Sequence, residues 1–311
     1  MLPLKIAIGS YGLTKALKDG AVRSERIAFE PVEIQPITRA MRRMARDLEF
    51  DVCEMAFTTY LCAKALGKPF TAIPVFVTRN FHHWAVWHNV KAGVRTPKDL
   101  EGRRVGVNRG YTVTTGLWVR GILASEYGVD LGKITWVATD DEHVAEYQAP
   151  ANVDYSLRGK DLGALMAVRE LDAGIGDIKS DSPDIQPLIP DARAAGFAYY
   201  RRTGIYRMNH GIVVKDAVLA ANPWLAAELF GLFKASKDAY LARLAEDRAL
   251  APADKTALAL QAGVGGDPFP FGVAANRKAL DAISRFSAEQ QVTPKAYAPE
   301  ELFAPSTLGL A

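Results

Sequence analysis

The order of strand-like and helix-like segments in the first eighty residues constrains the fold most strongly. Short apolar runs typical of buried strands alternate there with segments that have the apolar stripe or the closing glycine of a helix. The predicted strands are residues 5–10, 27–34, 51–57 and 70–77. Because single helices separate these strands, right-handed crossovers and parallel pairing are favoured. The pattern therefore predicts an α/β fold.

A second unit of the same kind follows along the chain. Predicted strands at residues 103–108 and 133–139 lie on either side of a helical stretch, and a predicted helix spans 162–174. The 311 residues are enough for two domains of about 100–200 residues each. Since no low-complexity linker is present, we expect strands rather than a flexible tether to join the two lobes.

The charge pattern argues against nucleic-acid and membrane partners. The net charge is only +3, and the densest basic group (Arg39, Arg42, Arg43 and Arg46) has the spacing of a solvated helix face without interleaved aromatic residues. No segment has the roughly 20 apolar residues that cross a bilayer. The first residues show no pattern of a secretory signal. We therefore expect a cytoplasmic protein that binds neither nucleic acid nor membrane.

Cysteine usage and glycine spacing give no indication of a metal or a cofactor. The two cysteines, Cys53 and Cys62, lie in apolar segments and suit buried small side chains rather than disulfides or metal ligands. The stretch "GVNRGYTVT" matches neither the dinucleotide-binding fingerprint nor the P-loop. We expect neither cofactor nor metal.

Ligand-binding residues are expected where the predicted strands end. In open parallel α/β sheets, ligands bind beyond the carboxyl ends of the strands, close to helix N-termini. The candidate binding residues on these loops are Ser10, Tyr11, Thr58, Thr59, Arg79, His82, Arg109, Thr112 and Thr114. The hydroxyl groups would also serve as simple helix N-caps, so both interpretations stay open. Arg109 suits a carboxylate, because its planar guanidinium can donate two parallel hydrogen bonds.

Glu54 and a pair of adjacent histidines carry the remaining chemical signals. Glu54 lies in a strand that should be buried on both faces, where a carboxylate needs a partner or a proton. We expect an ion pair with a nearby arginine, and a catalytic acid is the alternative. His82 and His83 begin a predicted strand whose alternation sends them to opposite faces, so that only one can face a ligand.

Four blocks of the sequence together resemble the 4,5-dihydroxyphthalate decarboxylase family. They are "RDLEFDVCEMAFTTYL", "AIPVFVTRNFHH", "GVNRGYTVTTGLWVRGILASEYGV" and "DPFPFGVAANRKALDAISRF". The likeness covers nearly the whole chain. It implies a type II periplasmic-binding-protein-like fold with two lobes, each a mixed, mostly parallel sheet flanked by helices, and a ligand cleft between them. Residues 1–83 and 209–311 would form lobe 1, and residues 84–208 would form lobe 2.

The resemblance also implies a reaction and its residues. The family's Ser-Arg-x-Phe-Arg-His block falls on residues 78–83, where Arg79 and His83 match, and His210 in "RMNHGIVV" corresponds to a histidine on the returning strand. These positions imply a cofactor-independent decarboxylase that converts 4,5-dihydroxyphthalate to protocatechuate and CO₂. His83 and His210 would be the acid and the base in either order, and Arg79 and Arg109 would hold the carboxylates.

Several alternatives stay open beside this interpretation. His82 replaces the second arginine of the family block, and the carboxylate expected after Arg109 is missing, so a neighbouring aromatic acid could be the substrate. A non-catalytic solute-binding protein for an aromatic or other small carboxylate, serving transport or sensing, has the same implied fold. A biosynthetic enzyme on this fold is a further alternative. The sequence also leaves open whether the protein forms a homo-oligomer.

Overall fold

The computed structural model describes residues 1–246 and 250–311, which divide into two compact units. Unit 1 comprises residues 1–80, 208–281 and 297–311, and unit 2 comprises residues 81–207 and 282–296. The strands are β1 (Leu2–Ala7), β2 (Ile27–Pro31), β3 (Val52–Ala56), β4 (Phe70–Arg79), β5 (Val86–Asn89), β6 (Arg104–Val107), β7 (Thr135–Ala138), β8 (Val153–Asp154), β9 (Ala173–Ile175), β10 (Ile185–Pro187) and β11 (Met208–Lys215). The helices are α1 (Gly12–Lys18), α2 (Thr38–Asp47), α3 (Phe57–Ala65), α4 (Thr114–Tyr127), α5 (Leu162–Ala167), α6 (Ala192–Thr203), α7 (Asp216–Ala221), α8 (Leu225–Glu246), α9 (Pro252–Val264) and α10 (Val273–Glu289).

Residues 282–296, which the sequence assigned to lobe 1, lie in unit 2. This stretch belongs to unit 2 because the second half of α10 packs on α4. The Phe286 ring meets the Trp118 ring edge to face, with 6.0 Å between the ring centroids. Gln290 Oε1 accepts a hydrogen bond of 2.7 Å from the buried Arg120 guanidinium. Apolar and polar contacts together therefore hold the stretch.

The sheet of unit 1 has the strand order β2-β1-β3-β11-β4. Strand β1 is parallel to β2 and β3, as predicted from the helical crossovers, whereas β11 is antiparallel to both β3 and β4. A strand from far along the chain thus lies between β3 and β4. Its register places His210 opposite Ala56 of β3 and opposite Thr78 of β4.

The core of unit 1 explains why these segments form strands and helices. Apolar side chains that alternate along β1, such as Leu4 and Ile6, pack in one cluster with Leu229 and Phe233 of α8. Every residue of β3 is buried, as expected for a strand covered on both faces. The one carboxylate in that strand, Glu54, is therefore held inside the unit.

The sheet of unit 2 has the order β10-β5-β9-β6-β7-β8. Strands β9, β6, β7 and β8 run parallel, and β5 is antiparallel to both of its neighbours. Both sheets are therefore mixed and flanked by helices. None of the helices in the described parts of the chain combines the length and the apolar character needed to cross a membrane.

Two local predictions in unit 2 are wrong. Residues His82–Ala85 form a turn of 3₁₀ helix, and the strand begins only at Val86. The alternation argument therefore fails, and His82 and His83 are both buried. The predicted helix over 162–174 ends at Ala167, because Ala173–Ile175 form β9 between β5 and β6.

Candidate functional site

The predicted site residues of unit 1 lie at one edge of its sheet. Strands β1, β3 and β4 end at this edge, and the antiparallel strand β11 begins there. The residues are Ser10, Tyr11, Thr58, Thr59, Arg79 and His210. Strand ends and the starts of α1 and α3 thus meet at the edge where open α/β sheets bind their ligands.

Glu54 is the centre of a hydrogen-bonded group at this edge. Its carboxylate is fully buried, and Oε2 accepts the Gly9 N–H at 2.8 Å. Oε1 accepts the Tyr11 hydroxyl at 2.7 Å and lies 2.6 Å from Nδ1 of His210. The prediction of an arginine partner for Glu54 is therefore wrong: an imidazole faces this carboxylate. We call Glu54, Tyr11 and His210 the Glu54 cluster.

The strand register explains how the Glu54 cluster forms. His210 lies opposite Ala56, and Glu54 is two residues before Ala56, so both side chains are on the same face of the sheet. The loop after β1 supplies Gly9 and Tyr11. A Cβ atom on Gly9 would lie 2.5 Å from Cζ of the Tyr11 ring, so this position needs a glycine for the ring to lie across it.

Hydrogen-bond chemistry fixes the proton positions in the Glu54 cluster. Both oxygens of Glu54 already accept hydrogen bonds, from the Gly9 N–H and the Tyr11 hydroxyl, so Glu54 acts as the acceptor and Nδ1 of His210 as the donor. Nε2 is then the ring nitrogen that can exchange a proton, and the His210 side chain is 13% exposed. Burial, the Glu54 charge and the hydrogen bond to Glu54 all raise the pKa of Tyr11, so its hydroxyl remains a donor at neutral pH.

The neighbouring candidates of unit 1 have different surroundings. Ser10 is exposed and accepts a 2.7 Å hydrogen bond from Lys18, which also pairs with Glu33 at 2.6 Å. Thr58 and Thr59 are fully buried in the first turn of α3. Neither threonine caps this helix, because the N-cap residue is Ala56. The capping interpretation is therefore wrong for this pair.

Arg79 is buried and bound to the segment that precedes α10 and to the first turn of α10. Its Nη2 donates to the Pro270 carbonyl at 2.7 Å and to Oδ1 of Asn276. The side chain also lies over the Phe76 ring. These contacts tie the end of β4 to the "DPFPFG" segment. A role of Arg79 in binding a substrate carboxylate stays a prediction.

His83 lies in a buried network of unit 2. Its Nε2 is 3.0 Å from Glu126 of α4, and its Nδ1 is 3.3 Å from Nη2 of Arg207. A guanidinium only donates, so Nδ1 accepts and Nε2 carries the proton, the opposite tautomer to His210. The His83 side chain has no exposed surface. Burial and the Arg207 charge lower its pKa, so the ring is neutral at pH 7.

Arg207 and Glu126 are members of this network that sequence reasoning missed. Arg207 is completely buried over the ring of Tyr199, and burial lowers its pKa to about 10. Glu126 also pairs with Arg202 at 3.2 Å. The sequence signal that could have pointed to Arg207 was its position three residues before His210. The network engages both ring nitrogens of His83, and proton transfer by His83 stays a prediction.

The predicted anion site at the start of α4 holds a carboxylate of the protein itself. Glu142 is buried; its Oε1 accepts the Tyr111 N–H at 2.5 Å and the Tyr155 hydroxyl at 2.7 Å. Its Oε2 accepts both the N–H (3.0 Å) and the hydroxyl (2.5 Å) of Thr112. We call Glu142 with Tyr111, Thr112 and Tyr155 the Glu142 cradle. Sequence reasoning missed Glu142, although it follows β7, which is parallel to β6.

The other unit 2 candidates lie on the loop before α4 or in the interior of unit 2. Arg109 adopts a left-handed backbone conformation with φ of 72°, and its N–H donates to Oγ1 of Thr139 at 3.2 Å. Thr114 is buried as the first residue of α4, whose N-cap is Val113, so this threonine is no cap either. His82 is buried in the 3₁₀ turn. Substrate binding by these residues stays a prediction.

The described residues contain no metal-binding geometry. Over 1–246 and 250–311, no three or more side chains of His, Cys, Asp and Glu are grouped so that they could hold an ion. The two His–Glu pairs described above, one in each unit, are candidate acid–base groups.

Comparison with solved structures identifies the fold. The periplasmic aliphatic sulphonate binding protein SsuA from Escherichia coli is similar over 99% of both chains, with a TM-score of 0.56 and 12% sequence identity. The desulfurization enzyme DSZB is similar over 99% of this chain and 98% of its own, with a TM-score of 0.54 and 13% identity. The predicted periplasmic-binding-protein-like fold class is therefore confirmed. Within this fold, one neighbour is a binding protein and the other is an enzyme.

Comparison of sequences identifies the relatives. A 4,5-dihydroxyphthalate decarboxylase of Comamonas testosteroni is 29% identical over an alignment of 325 positions, which covers 99% of this chain and 98% of that enzyme. The resemblance predicted from the four sequence blocks is thus confirmed. The model of the family described as NMT1/THI5 like matches residues 49–242, which is more than half of the chain. The protein therefore belongs to the NMT1/THI5-like family.

Proposed function

We propose that this protein is a cofactor-independent decarboxylase of a hydroxylated aromatic dicarboxylate, with 4,5-dihydroxyphthalate as the substrate and protocatechuate and CO₂ as the products. The full-length similarity to the Comamonas testosteroni enzyme of that name supports this substrate. The His210–Glu54 contact of 2.6 Å is the structural observation that carries the proposal, because it provides a positioned acid–base group.

The reaction requires one proton to enter and one carbon–carbon bond to break. A base takes the proton from the hydroxyl group para to the departing carboxylate, which moves electron density to the carbon that bears this carboxylate. An acid then protonates that carbon, the bond to the carboxylate breaks, and its electrons return to the ring as CO₂ leaves. The protonated base finally returns its proton to the phenolate oxygen. The dianion plus one proton thus gives the protocatechuate monoanion and CO₂.

His210 has the surroundings that such a proton transfer needs. Glu54 holds the Nδ1–H of the imidazole, which fixes the ring orientation and leaves Nε2 for the reacting proton. Glu54 also stabilises the protonated ring, because a buried carboxylate favours an adjacent positive charge. The Tyr11 hydroxyl donates a hydrogen bond of 2.7 Å to Glu54, which helps to hold the carboxylate in place.

The other candidates have supporting roles in this proposal. Arg79 and Arg109 supply guanidinium groups for the two substrate carboxylates, as the resemblance implies. His83 is the second histidine that the resemblance selects, and its neutral ring would act as the partner base or acid. Because Glu126 and Arg207 engage both ring nitrogens of His83, its part in the chemistry is tested separately, by its own substitution.

Turnover of 4,5-dihydroxyphthalate by wild-type protein and by His210→Asn tests the proposal. Protocatechuate and CO₂ are measured together, because they must form in equal amounts. Asparagine keeps a polar side chain but transfers no proton, so we expect turnover to fall by about 10²–10⁴. His88→Asn is the matched control, since His88 bonds only the Val94 carbonyl in the part of unit 2 that the structure describes, and its turnover should equal the wild-type value.

The outcomes separate the proposal from its main alternative. Binding of 4,5-dihydroxyphthalate without any CO₂ from the wild-type protein would reject the decarboxylase and favour a solute-binding protein. Turnover that survives in His210→Asn would retain the decarboxylase and reject His210 as the proton-transfer residue. His83→Asn in the same assay decides whether the second histidine belongs to the machinery.

A further inference from the structure

One oxygen atom in the Glu54 cluster serves two titratable donors. The Tyr11 hydroxyl and His210 Nδ1 both point to Oε1 of Glu54, at 2.7 and 2.6 Å, while Oε2 takes the Gly9 N–H. Each hydrogen bond to a carboxylate disperses part of its negative charge. A donor on Oε1 therefore weakens the attraction of that oxygen for any second donor.

We propose that Tyr11 is a positioning residue that sets how tightly His210 holds its proton, by sharing Oε1 of Glu54 with the imidazole. This inference deepens the proposed function and rests on it for the catalytic meaning of His210. With the hydroxyl in place, Oε1 orients the ring while dividing its negative charge between two donors. Without the hydroxyl, the full charge of Oε1 faces the imidazole, so the His210 ring holds its proton more tightly.

The charged groups around the Glu54 cluster have other partners. Within the described residues of unit 1, Arg79 follows Thr78 on β4 but extends its guanidinium to Pro270. Lys18 bonds Ser10 and Glu33. Cys53 donates its thiol to the Glu54 carbonyl, and burial keeps its pKa well above the usual value, so the thiol stays neutral.

The neighbours of His210 in the sheet do not titrate. Thr78 on β4 and Ala56 on β3 lie opposite His210 in the register. Glu54 and Tyr11 are therefore the titratable groups expected to control the His210 proton in the described part of unit 1.

Nuclear magnetic resonance on the full-length, ligand-free protein tests the inference. Histidine Cε1–Hε1 signals are followed from pH 5 to 9, and His210→Asn identifies the signal of His210 among the five histidines. Tyr11→Phe keeps the ring and removes only the hydroxyl. We expect the titration midpoint of His210 to rise by about 0.5–1 pH unit, which is a roughly threefold to tenfold gain in proton affinity.

Matched variants separate this effect from a general disturbance of the fold. Tyr240→Phe removes a hydroxyl that donates to another carboxylate of unit 1, Asp254, at 2.9 Å, and should leave the His210 midpoint unchanged. Glu54→Gln should lower the midpoint, because a neutral amide no longer stabilises the imidazolium. Tyr11→Phe added to Glu54→Gln should then produce no further shift.

Any of three results would overturn the inference. They are an unchanged His210 midpoint in Tyr11→Phe, an equal shift in Tyr240→Phe, and a Tyr11→Phe shift that persists in the Glu54→Gln background. If Tyr11→Phe fails to fold, Glu54→Gln still decides, since a midpoint that does not fall removes Glu54 as the link. The measurement uses no substrate, so a protein that never releases CO₂ would refute the proposed function and leave this result standing.

Discussion

Removal of the Glu142 carboxylate should destabilise unit 2 strongly. In the Glu142 cradle, the N–H groups of Tyr111 and Thr112 and the hydroxyls of Thr112 and Tyr155 donate to this side chain. At about 1.5 kcal/mol for each bond to a charged acceptor, the four bonds contribute about 6 kcal/mol. Burying the carboxylate costs about 3 kcal/mol of this, so Glu142→Ala should lower the free energy of unfolding by about 3 kcal/mol.

Urea denaturation followed by tryptophan fluorescence is the appropriate assay. Trp84, Trp87, Trp118 and Trp136 are in unit 2, and only Trp224 of the five is in unit 1, so the signal reports mainly on unit 2. Tyr155→Phe is the matched control. It removes one of the four donors and keeps the carboxylate, and should cost only about 1 kcal/mol.

Formate provides an independent check of the same geometry. In Glu142→Ala the donors remain while their acceptor is gone, so a small carboxylate can enter the space and should stabilise the variant in proportion to the logarithm of its concentration. Wild-type protein, with its cradle filled, should not respond. A loss below about 1 kcal/mol in Glu142→Ala, or equal stabilisation of both proteins by formate, would refute the assigned role of Glu142.

Two further predictions concern stability. Gly121→Ala should destabilise the protein by about 1–3 kcal/mol, because its Cβ would lie 2.3 Å from the Phe286 ring. Gly231→Ala, in a helix with open space around the new Cβ, should instead stabilise the protein by about 0.5–1 kcal/mol. Thermal or urea unfolding of both variants checks this pair, and equal effects would contradict the packing of α10 on α4. Burial and the Arg207 charge lower the pKa of His83 in the folded protein from its usual 6.5, so at acidic pH the unfolded chain takes up a proton that the folded protein excludes. The free energy of unfolding should therefore fall as the pH drops below about 6.5, by up to about 1.4 kcal/mol per pH unit. His83→Asn should lack this component, and identical pH slopes from pH 5 to 8 would show that His83 does not titrate in this way.

The sequence was sufficient to locate the strands of the first eighty residues but not to identify their non-local partners. Period-two apolar runs and helix stops located β1 to β4 and the intervening helices, because local burial patterns set these segments. The same reasoning gave Glu54 as an unusual buried carboxylate. It chose the wrong partner, since His210 lies 156 residues further along the chain and reaches Glu54 only through the antiparallel insertion of β11.

The errors at His82 and His83 and the missed carboxylate partner of Thr112 have a related cause. A 3₁₀ turn replaced the expected start of a strand because the His83 ring packs between Glu126 of α4 and Tyr199 of α6, contacts that no local pattern encodes. Thr112 was correctly placed before a helix start, but its carboxylate partner comes from a loop 30 residues away. Tertiary contacts decided both sites.

The position of β11 between β3 and β4 has a consequence for biosynthesis. The first eighty residues contain β3 and β4 and are synthesised first. The strand that pairs with both of them begins only at Met208, after the 127 residues of 81–207. At about 5–20 residues per second, translation needs roughly 6–25 s to supply it. Throughout that interval β3 and β4 lack the strand that pairs with both of them in the folded protein, and Glu54 lacks its imidazole partner.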